Sequence, residues 1–394
     1  MTRRAIETSF LLLVAGCAGG SGHAAQREAT PTAARLAAPS PATTAPTPAS
    51  APTSTSTAAI ATSAAPGPPP RATTIRLSSG SGELGDAEVA AGDQAFERGD
   101  LAEASRYYTA ARTLAPKNVA PRVGVARVRL ALAGVPLDYG SAKGSKAVAA
   151  AAADLAMAVK AAPSFGPGYV ELGRARLLLG DASGAVEALG TAAQLLPDEP
   201  EAHSQLGVAW LAIGHADRAV SELARAVELD PISAARHGNL GTALLMVGRT
   251  KEAVAEYEAR VRMDDGDARA HSDLGTALLG TQDLPRALSE LQRAVGLDPK
   301  RPAFHSNLGY ALQQLGRMDA AIAEYHDALQ LDPNLVSAWI NLGTVLARNP
   351  KARAQAREAL LRAQSLSPGD PRVKANLDEL DALEGAGPKG ANPR

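Results

Sequence analysis

The stretch HSNLGYALQQLGRMDAAIAEYHDALQLDP, His305 to Pro333, decides the fold. Leu308, Gly309, Leu312 and Leu315 recur at helical spacing in its first half, and Ala321, Tyr325, Ala328 and Leu331 do so in its second. Each set draws one apolar stripe on a 3.6-residue period. Gly316 separates the halves and Pro333 closes the second, so the stretch predicts two helices joined by a tight turn. Steps of 34 residues back from Leu308-Gly309 reach Leu274-Gly275, Leu240-Gly241, Leu206-Gly207 and Leu172-Gly173, and one step forward reaches Leu342-Gly343. A helical hairpin repeated at a fixed period implies a stacked array, because one hairpin cannot bury its own apolar faces.

The regular units are 166–199, 200–233, 234–267, 268–301 and 302–335. Each carries Leu-Gly in its first helix and small residues in its second, with Leu or Tyr between them, as in Ala219, Leu223 and Ala226. Pro197, Pro231, Pro299 and Pro333 end the second helices. An earlier unit, 85–118, has Gly92, Ala104, Tyr108, Ala111 and Pro116. The next starts at Val119 with Val125-Ala126 in the Leu-Gly place, and continues with Ala151, Leu155, Ala158 and Pro163. It is lengthened by GVPLDYGSAKGSK, Gly134–Lys146. A tolerated surface insertion and a presented contact loop both fit this stretch, and the former is preferred. In the unit 234–267, Arg260 replaces a small residue and Asp265 the proline, which predicts a looser seam after it. The last unit, 336–368, has one extra residue at its turn, Asn349-Pro350. A final helix from Pro371 to about Leu383 directs Val373, Leu377 and Leu380 inward and Asp378, Glu379 and Asp381 outward, as a cap requires.

These positions resemble the tetratricopeptide repeat over residues 85–383. The resemblance implies an all-α, right-handed superhelical solenoid of about eight hairpins plus a capping helix, with the first helices lining a concave groove. It also implies a protein that binds other proteins or peptides rather than an enzyme.

The rest of the chain is of another kind. Residues 1–84 hold six Arg and three Glu, leaving 34 basic and 38 acidic residues in the remainder. No basic field exists to attract nucleic acid. Arg3 and Arg4 precede the apolar run Phe10–Ala15, the pattern of an export signal over 1–16, and too short to span a bilayer. Val14-Ala15-Gly16-Cys17 resembles the lipobox of bacterial lipoproteins, and Cys17 is the single cysteine of the chain. That resemblance implies cleavage before Cys17, lipidation of Cys17, and, with Ala18 next to it, sorting to the outer membrane. Residues 17–84 are rich in Ala, Pro, Ser and Thr, with no apolar period, and predict a disordered tether. Residues 384–394 read as a tail of the same sort. Gly80, Gly82 and Gly85 match a dinucleotide-loop spacing, but a helical repeat follows and no βαβ unit exists, so they read as a junction.

The residue before each Leu of the Leu-Gly pair is Glu171, Gln205, Asn239, Asp273, Asn307, Asn341 and, in the cap, Asn376. Carboxamides offer donor and acceptor together and can pair with the main chain of an extended peptide. This ladder resembles the asparagine ladder of the tetratricopeptide part of O-GlcNAc transferases; hydrogen bonding between helices is the alternative. Thr242, Thr276, Tyr310 and Thr344, three residues on, extend a polar floor. His203, His237, His271 and His305 also recur, with Trp339 in the next place. Parallel side chains ~10 Å apart cannot converge on a metal, so they read as packing residues. No catalytic motif and no cofactor or metal site emerges. The expected function is a non-enzymatic scaffold for a partner protein or peptide, anchored by lipid to the bacterial envelope and associated with an envelope complex. The alternative is the recruiting subunit of a glycosyltransferase or other envelope enzyme whose catalytic domain is on another chain.

Overall fold

The computed structural model describes residues 75–80, 82–135 and 139–385. Cys17, the export signal and the tether up to residue 74 lie outside the described residues, as does the tail beyond Gly385.

Helices come in hairpins: α1 (Asp86–Glu97) with α2 (Leu101–Leu114), α3 (Ala120–Leu132) with α4 (Lys146–Ala161), α5 (Gly166–Leu179) with α6 (Ala182–Leu195), and α7 (Pro200–Ala212) with α8 (Ala216–Leu229). They continue as α9 (Ala234–Met246) with α10 (Thr250–Met263), α11 (Ala268–Gly280) with α12 (Leu284–Leu297), α13 (Pro302–Gln314) with α14 (Met318–Leu331), and α15 (Val336–Ala347) with α16 (Arg353–Leu366). The single helix α17 (Pro371–Gly385) ends the series, and no strand occurs among the described residues. The expected all-α solenoid is what forms.

Each helix packs on its sequence neighbours, and the first helices also approach one another from unit to unit, whereas the second helices do not. Equal spacing on both sides would give a straight stack; closer spacing of the first helices makes theirs the inner side of a curve. The approach falls away at one junction, between α9 and α11. There Arg260 lies beside Gly238, whose added Cβ would sit 3.1 Å from Arg260 Nη1. The guanidinium pairs with Asp267 and Asp273, at 2.7 Å each. The long charged side chain that stands in place of a small one thus ties the seam through ion pairs to the start of the next unit.

The Leu-Gly pair has a steric cause. A Cβ on Gly309 would lie 2.8 Å from Tyr325 Cε1, on Gly173 2.3 Å from Leu189 Cγ, and on Gly207 2.4 Å from Leu223 Cγ. Glycine therefore opens the notch that receives the large residue of the second helix. Hairpin turns use Gly180, Gly214, Gly248 and Gly316 at φ 80, 81, 77 and 76°, while the equivalent Gln282 adopts φ 64°. The stripe in α14 departs from expectation at its end: Leu331 is exposed and Leu329 goes inward.

The insertion after α3 is neither a free excursion nor a presented loop over its described part. Gly140 N and Ala142 N donate to the carbonyls of Leu177 and Leu178 at 2.9 Å, and Tyr139 donates to Gly180 O at 2.8 Å. It adds donors to the carbonyls at the end of α5, where the helix leaves acceptor capacity unused. At the other end, Val373, Asn376 and Leu380 of α17 are buried, Leu377 is half-buried, and Asp378, Glu379 and Asp381 are exposed.

Residues 75–79, read from sequence as the last part of the tether, lie against the array. Ile75 and Leu77 are buried while Arg76 is exposed, the alternation of an extended chain.

Candidate interaction face

Two positions of the first helices line up along the array, the residue before Leu-Gly and the residue after it. In the N-terminal half these rows carry charge. Arg127 Nε donates to Glu171 at 2.8 Å and Arg127 Nη1 lies 3.4 Å from Asp93. Arg174 sits 3.3 Å from Glu171 and 2.7 Å from Glu201. Glu201 lies 3.4 Å from Arg236, which also pairs with Asp230. Acid and base alternate along five units, and Arg127 is 1% and Glu171 0% exposed. Burial favours the neutral acid at Glu171, but the guanidiniums of Arg174 and Arg127 hold its carboxyl below the usual range. Burial pushes the Tyr108 phenol far up, and its hydroxyl donates to Asp93 at 2.7 Å.

Two members of this network also read main chain. Asp93 Oδ2 accepts from Leu77 N at 2.8 Å and from Ser78 N at 3.0 Å. Arg127 Nη2 donates to Ile75 O at 2.7 Å. Asp86 Oδ1 accepts from Ser79 N at 2.9 Å. Asp93 and Arg127 each follow the Leu-Gly place, in Ala91-Gly92 and Val125-Ala126, and so are the counterparts of Thr242, Thr276, Tyr310 and Thr344. The floor position meets an extended chain here.

The expected ladder divides. Glu171, Asn307 and Asn341 are 0, 2 and 0% exposed, and Asn376 is also buried. Asn307 Nδ2 donates to Ser272 Oγ and Thr276 Oγ1 of the preceding unit, at 3.3 and 3.5 Å. At Asn307 the carboxamide thus bonds between helices, the alternative the sequence left open. Gln205, Asn239 and Asp273 are half-buried on the inner side. Gln205 donates to Glu201 at 2.9 Å, and Asp273 is held by Arg260. On the floor, Thr242 and Thr276 are half-buried, as is Tyr310, and Thr344 is buried with its hydroxyl on Ile340 O. Thr242 also bonds Tyr257 at 3.0 Å.

The four histidines form clasps. Nδ1 of His203, His237, His271 and His305 faces Glu222, Glu256, Glu290 and Glu324 at 2.7, 2.6, 2.7 and 2.8 Å. Nε2 faces the carbonyls of Pro197, Pro231, Asp265 and Pro299 at 3.0, 3.1, 3.0 and 2.9 Å. Trp339 Nε1 donates to the matching carbonyl of Pro333 at 2.9 Å. The shared role is to fasten one unit to the next. At His305 both imidazole nitrogens face acceptors, an arrangement that only the imidazolium satisfies in full. The hydrogen bond to Glu324 raises the His305 pKa above its ordinary value against the effect of burial. His305, Glu324 and Asp327 offer ligand atoms within 4.8 Å of one another, but both His305 nitrogens are already engaged.

Sequence reasoning missed Asp93, Arg127, Arg174, Glu201 and Arg236. A signal existed for the first three: charged residues follow the Leu-Gly place only in the first three units. The clasp glutamates were legible as well, since each lies 19 residues after its histidine.

A family model described as tetratricopeptide repeat matches residues 239–302, 272–335 and 306–371, and one described as bacterial transcriptional activator domain matches 174–265. No curated protein matches the chain. Among solved structures, the APC/C hetero-tetramer Cut9-Hcn1 superposes with TM-score 0.55 at 19% identity, over 75% of this chain and 55% of that one. The chain thus spans about half of that relative, and the likeness is one of fold. Pseudomonas aeruginosa pilF gives TM-score 0.46 at 21% identity over 54% of this chain and 97% of that one. YrrB, titled a TPR protein with an unusual peptide-binding site, gives 0.39 at 23% over 49% and 99%.

Proposed function

From the premise that this chain carries tetratricopeptide repeats and folds as their solenoid, we propose that it is a non-enzymatic scaffold that holds an extended segment of a partner protein along the inner side of its curve. The observation that supports this most is the row of half-buried polar side chains on that side, Gln205, Asn239, Thr242, Asp273, Thr276 and Tyr310. They are wet enough to meet a ligand and are held by rigid helices. Side chains so placed offer donors and acceptors that main-chain amides and carbonyls can meet irrespective of partner sequence. The charged groups farther toward the N-terminus are consumed by one another, which leaves no free acid or base poised for chemistry in that network.

The second part of the proposal is place. Cys17, in the setting Val14-Ala15-Gly16-Cys17, anchors the protein through lipid to the outer membrane of a bacterial envelope, and an envelope complex is the partner. Acyl chains contribute ~0.8 kcal/mol per buried methylene, enough for stable attachment when more than one is present.

Two experiments test these parts. Membrane fractionation of Cys17→Ser is expected to find the protein released; retention in the membrane fraction removes the anchor. Crosslinked capture from membranes identifies the partner, and the triple variant Asn239→Ala, Thr276→Ala and Tyr310→Phe is expected to lose it while keeping its helical spectrum. Undiminished capture removes the inner side from the mechanism.

A further inference from the structure

The inner side of the first units already holds an extended chain, and it is the protein's own. From this we propose that residues 75–79 are a ligand bound in cis, covering a site for extended segments with aliphatic residues at alternate positions. The inference rests on the peptide-binding reading of the inner side but adds the ligand pattern and the present occupant.

The contacts are those by which a groove reads a peptide. Asp93 takes two successive amides, of Leu77 and Ser78, on one carboxylate oxygen. Arg127 takes the carbonyl of Ile75. Main-chain groups are therefore recognised on both sides of Arg76, whose own side chain is exposed and unread. Selectivity lies in the alternate residues. Ile75 shares a buried cluster with Val170, Ala192 and Ala202 of the third and fourth units. Leu77 belongs to the cluster that runs from Val89 of the first hairpin to Leu172 of the third, and its amide meets Asp93 of the first. The chain thus runs from the third unit back to the first, against the order of the repeats. Ser79 ends it on Asp86, through its amide at 2.9 Å and its hydroxyl at 3.1 Å. A partner for this site presents an aliphatic residue, any residue, an aliphatic residue and then a small polar one, in extended form.

The segment differs from an ordinary first strand or helix of a fold, since it pairs with no backbone group of the array in these contacts. These hydrogen bonds run to side chains of the array, four at the segment's main chain and one from the Ser79 hydroxyl, the kind a second molecule of the same sequence reproduces. Attachment to the array gives it an effective concentration of order millimolar, so an outside peptide competes poorly until the segment is weakened.

The experiment uses the full chain and the variant Ile75→Ala/Leu77→Ala, which removes both anchors and leaves Asp93 and Arg127 in place. The probe is a fluorescein-labelled peptide TIRLSSG, the sequence of Thr74–Gly80, followed by polarisation. The variant is expected to bind it at least ~10-fold more tightly than the unaltered chain, because its site is vacated. In parallel, trypsin is expected to cut after Arg76 at least ~10-fold faster in the variant, since an extended segment held at both neighbours cannot enter a protease cleft. Equal or absent peptide binding by a variant that keeps its helical spectrum overturns the proposal and makes 75–79 a fixed part of the fold. So does a variant that loses its helical spectrum. A chain that captures its partner through Thr276 and Tyr310 and yet fails this test loses only the cis ligand, not the proposed function.

Discussion

Replacing Arg127 by Met tests whether the buried charges hold the N-terminal units together. Methionine keeps most of the apolar stem and volume, so the change is chiefly one of charge. Arg127 touches four groups: Glu171 at 2.8 Å, Asp93 at 3.4 Å, Ile75 O at 2.7 Å and the Phe96 ring at 5.4 Å. Losing one member of a buried pair costs about 3–5 kcal/mol, because the remaining charge stays out of water without compensation. The lower end applies here. Asp93 keeps the Tyr108 hydroxyl and two amides, and Glu171 keeps Arg174, though only at 3.3 Å. We expect a loss of about 3 kcal/mol, with Glu171→Gln alone costing about 1 kcal/mol because an amide oxygen still accepts from Arg127. The double variant is expected to be at least about 1.5 kcal/mol more stable than the sum of the two losses, the signature of a direct pair. Repeat arrays open in blocks, so whole-chain denaturation by circular dichroism is paired with hydrogen exchange resolved over α1–α5. Additive losses, or an Arg127→Met loss below about 1 kcal/mol, refute the reasoning and make the network incidental.

Three further outcomes follow from other parts of the array. Gln282→Gly relieves a left-handed backbone at a position where Gly99, Gly180, Gly214, Gly248 and Gly316 serve other turns, and is expected to stabilise by about 0.5–1 kcal/mol in thermal unfolding; no gain means the hydrogen bond from its side-chain amide to Leu279 O outweighs the strain. Gly309→Ala places a Cβ 2.8 Å from Tyr325 Cε1 and 3.2 Å from Ala321 O, and is expected to cost about 1–3 kcal/mol, read as a lowered melting temperature. His305→Trp keeps the bond to the Pro299 carbonyl, as Trp339 does to Pro333, but cannot titrate. Because the folded pKa of His305 is raised, its contribution is full below the unfolded value of about 6.5 and is lost as pH rises through the folded one. The unaltered chain should therefore lose more stability than the variant between about pH 6 and pH 8, and equal losses would discard the clasp as a pH-sensitive element.

The hairpins were legible because the residues that set them are local or one period apart. Gly309 and Tyr325 are 16 residues apart within one unit, and their steric relation repeats wherever the pair does. The Arg260 seam was legible for the same reason, as a broken rule at a known place. The inner side was harder to read. Sequence spacing shows that Asn239, Asn307 and Asn341 share one repeat position, but exposure depends on the neighbours of each helix. Asn307 is covered where Ser272 and Thr276 offer it hydroxyls, whereas Asn239 remains half-open beside the Arg260 seam. Arg127 and Glu171 lie 44 residues apart because the insertion disrupts the period between them. The segment 75–79 was read as tether from its setting in a run of Ala, Pro, Ser and Thr, and its two aliphatic residues are too few to show a period.

These two halves of the inner side meet a ligand by different means. Toward the N-terminus every strong charge of the network faces an opposite one at 3.4 Å or less, so the field it projects is small. What remains for a ligand is a carboxylate oxygen for amides, a guanidinium for a carbonyl, and apolar notches on either side. Toward the C-terminus the face is hydroxyl and amide, through Asn239, Thr276 and Tyr310. Neither half attracts a partner by net charge. Ionic strength screens exposed charges within about 10 Å at 0.1 M but reaches buried pairs far less. Binding of the TIRLSSG peptide to the Ile75→Ala/Leu77→Ala variant should therefore change less than about threefold between roughly 0.05 and 0.5 M salt. A steep salt dependence would mean that the one charged side chain of the peptide, at the position of Arg76, drives binding, and would move recognition from the main chain to an acidic surface.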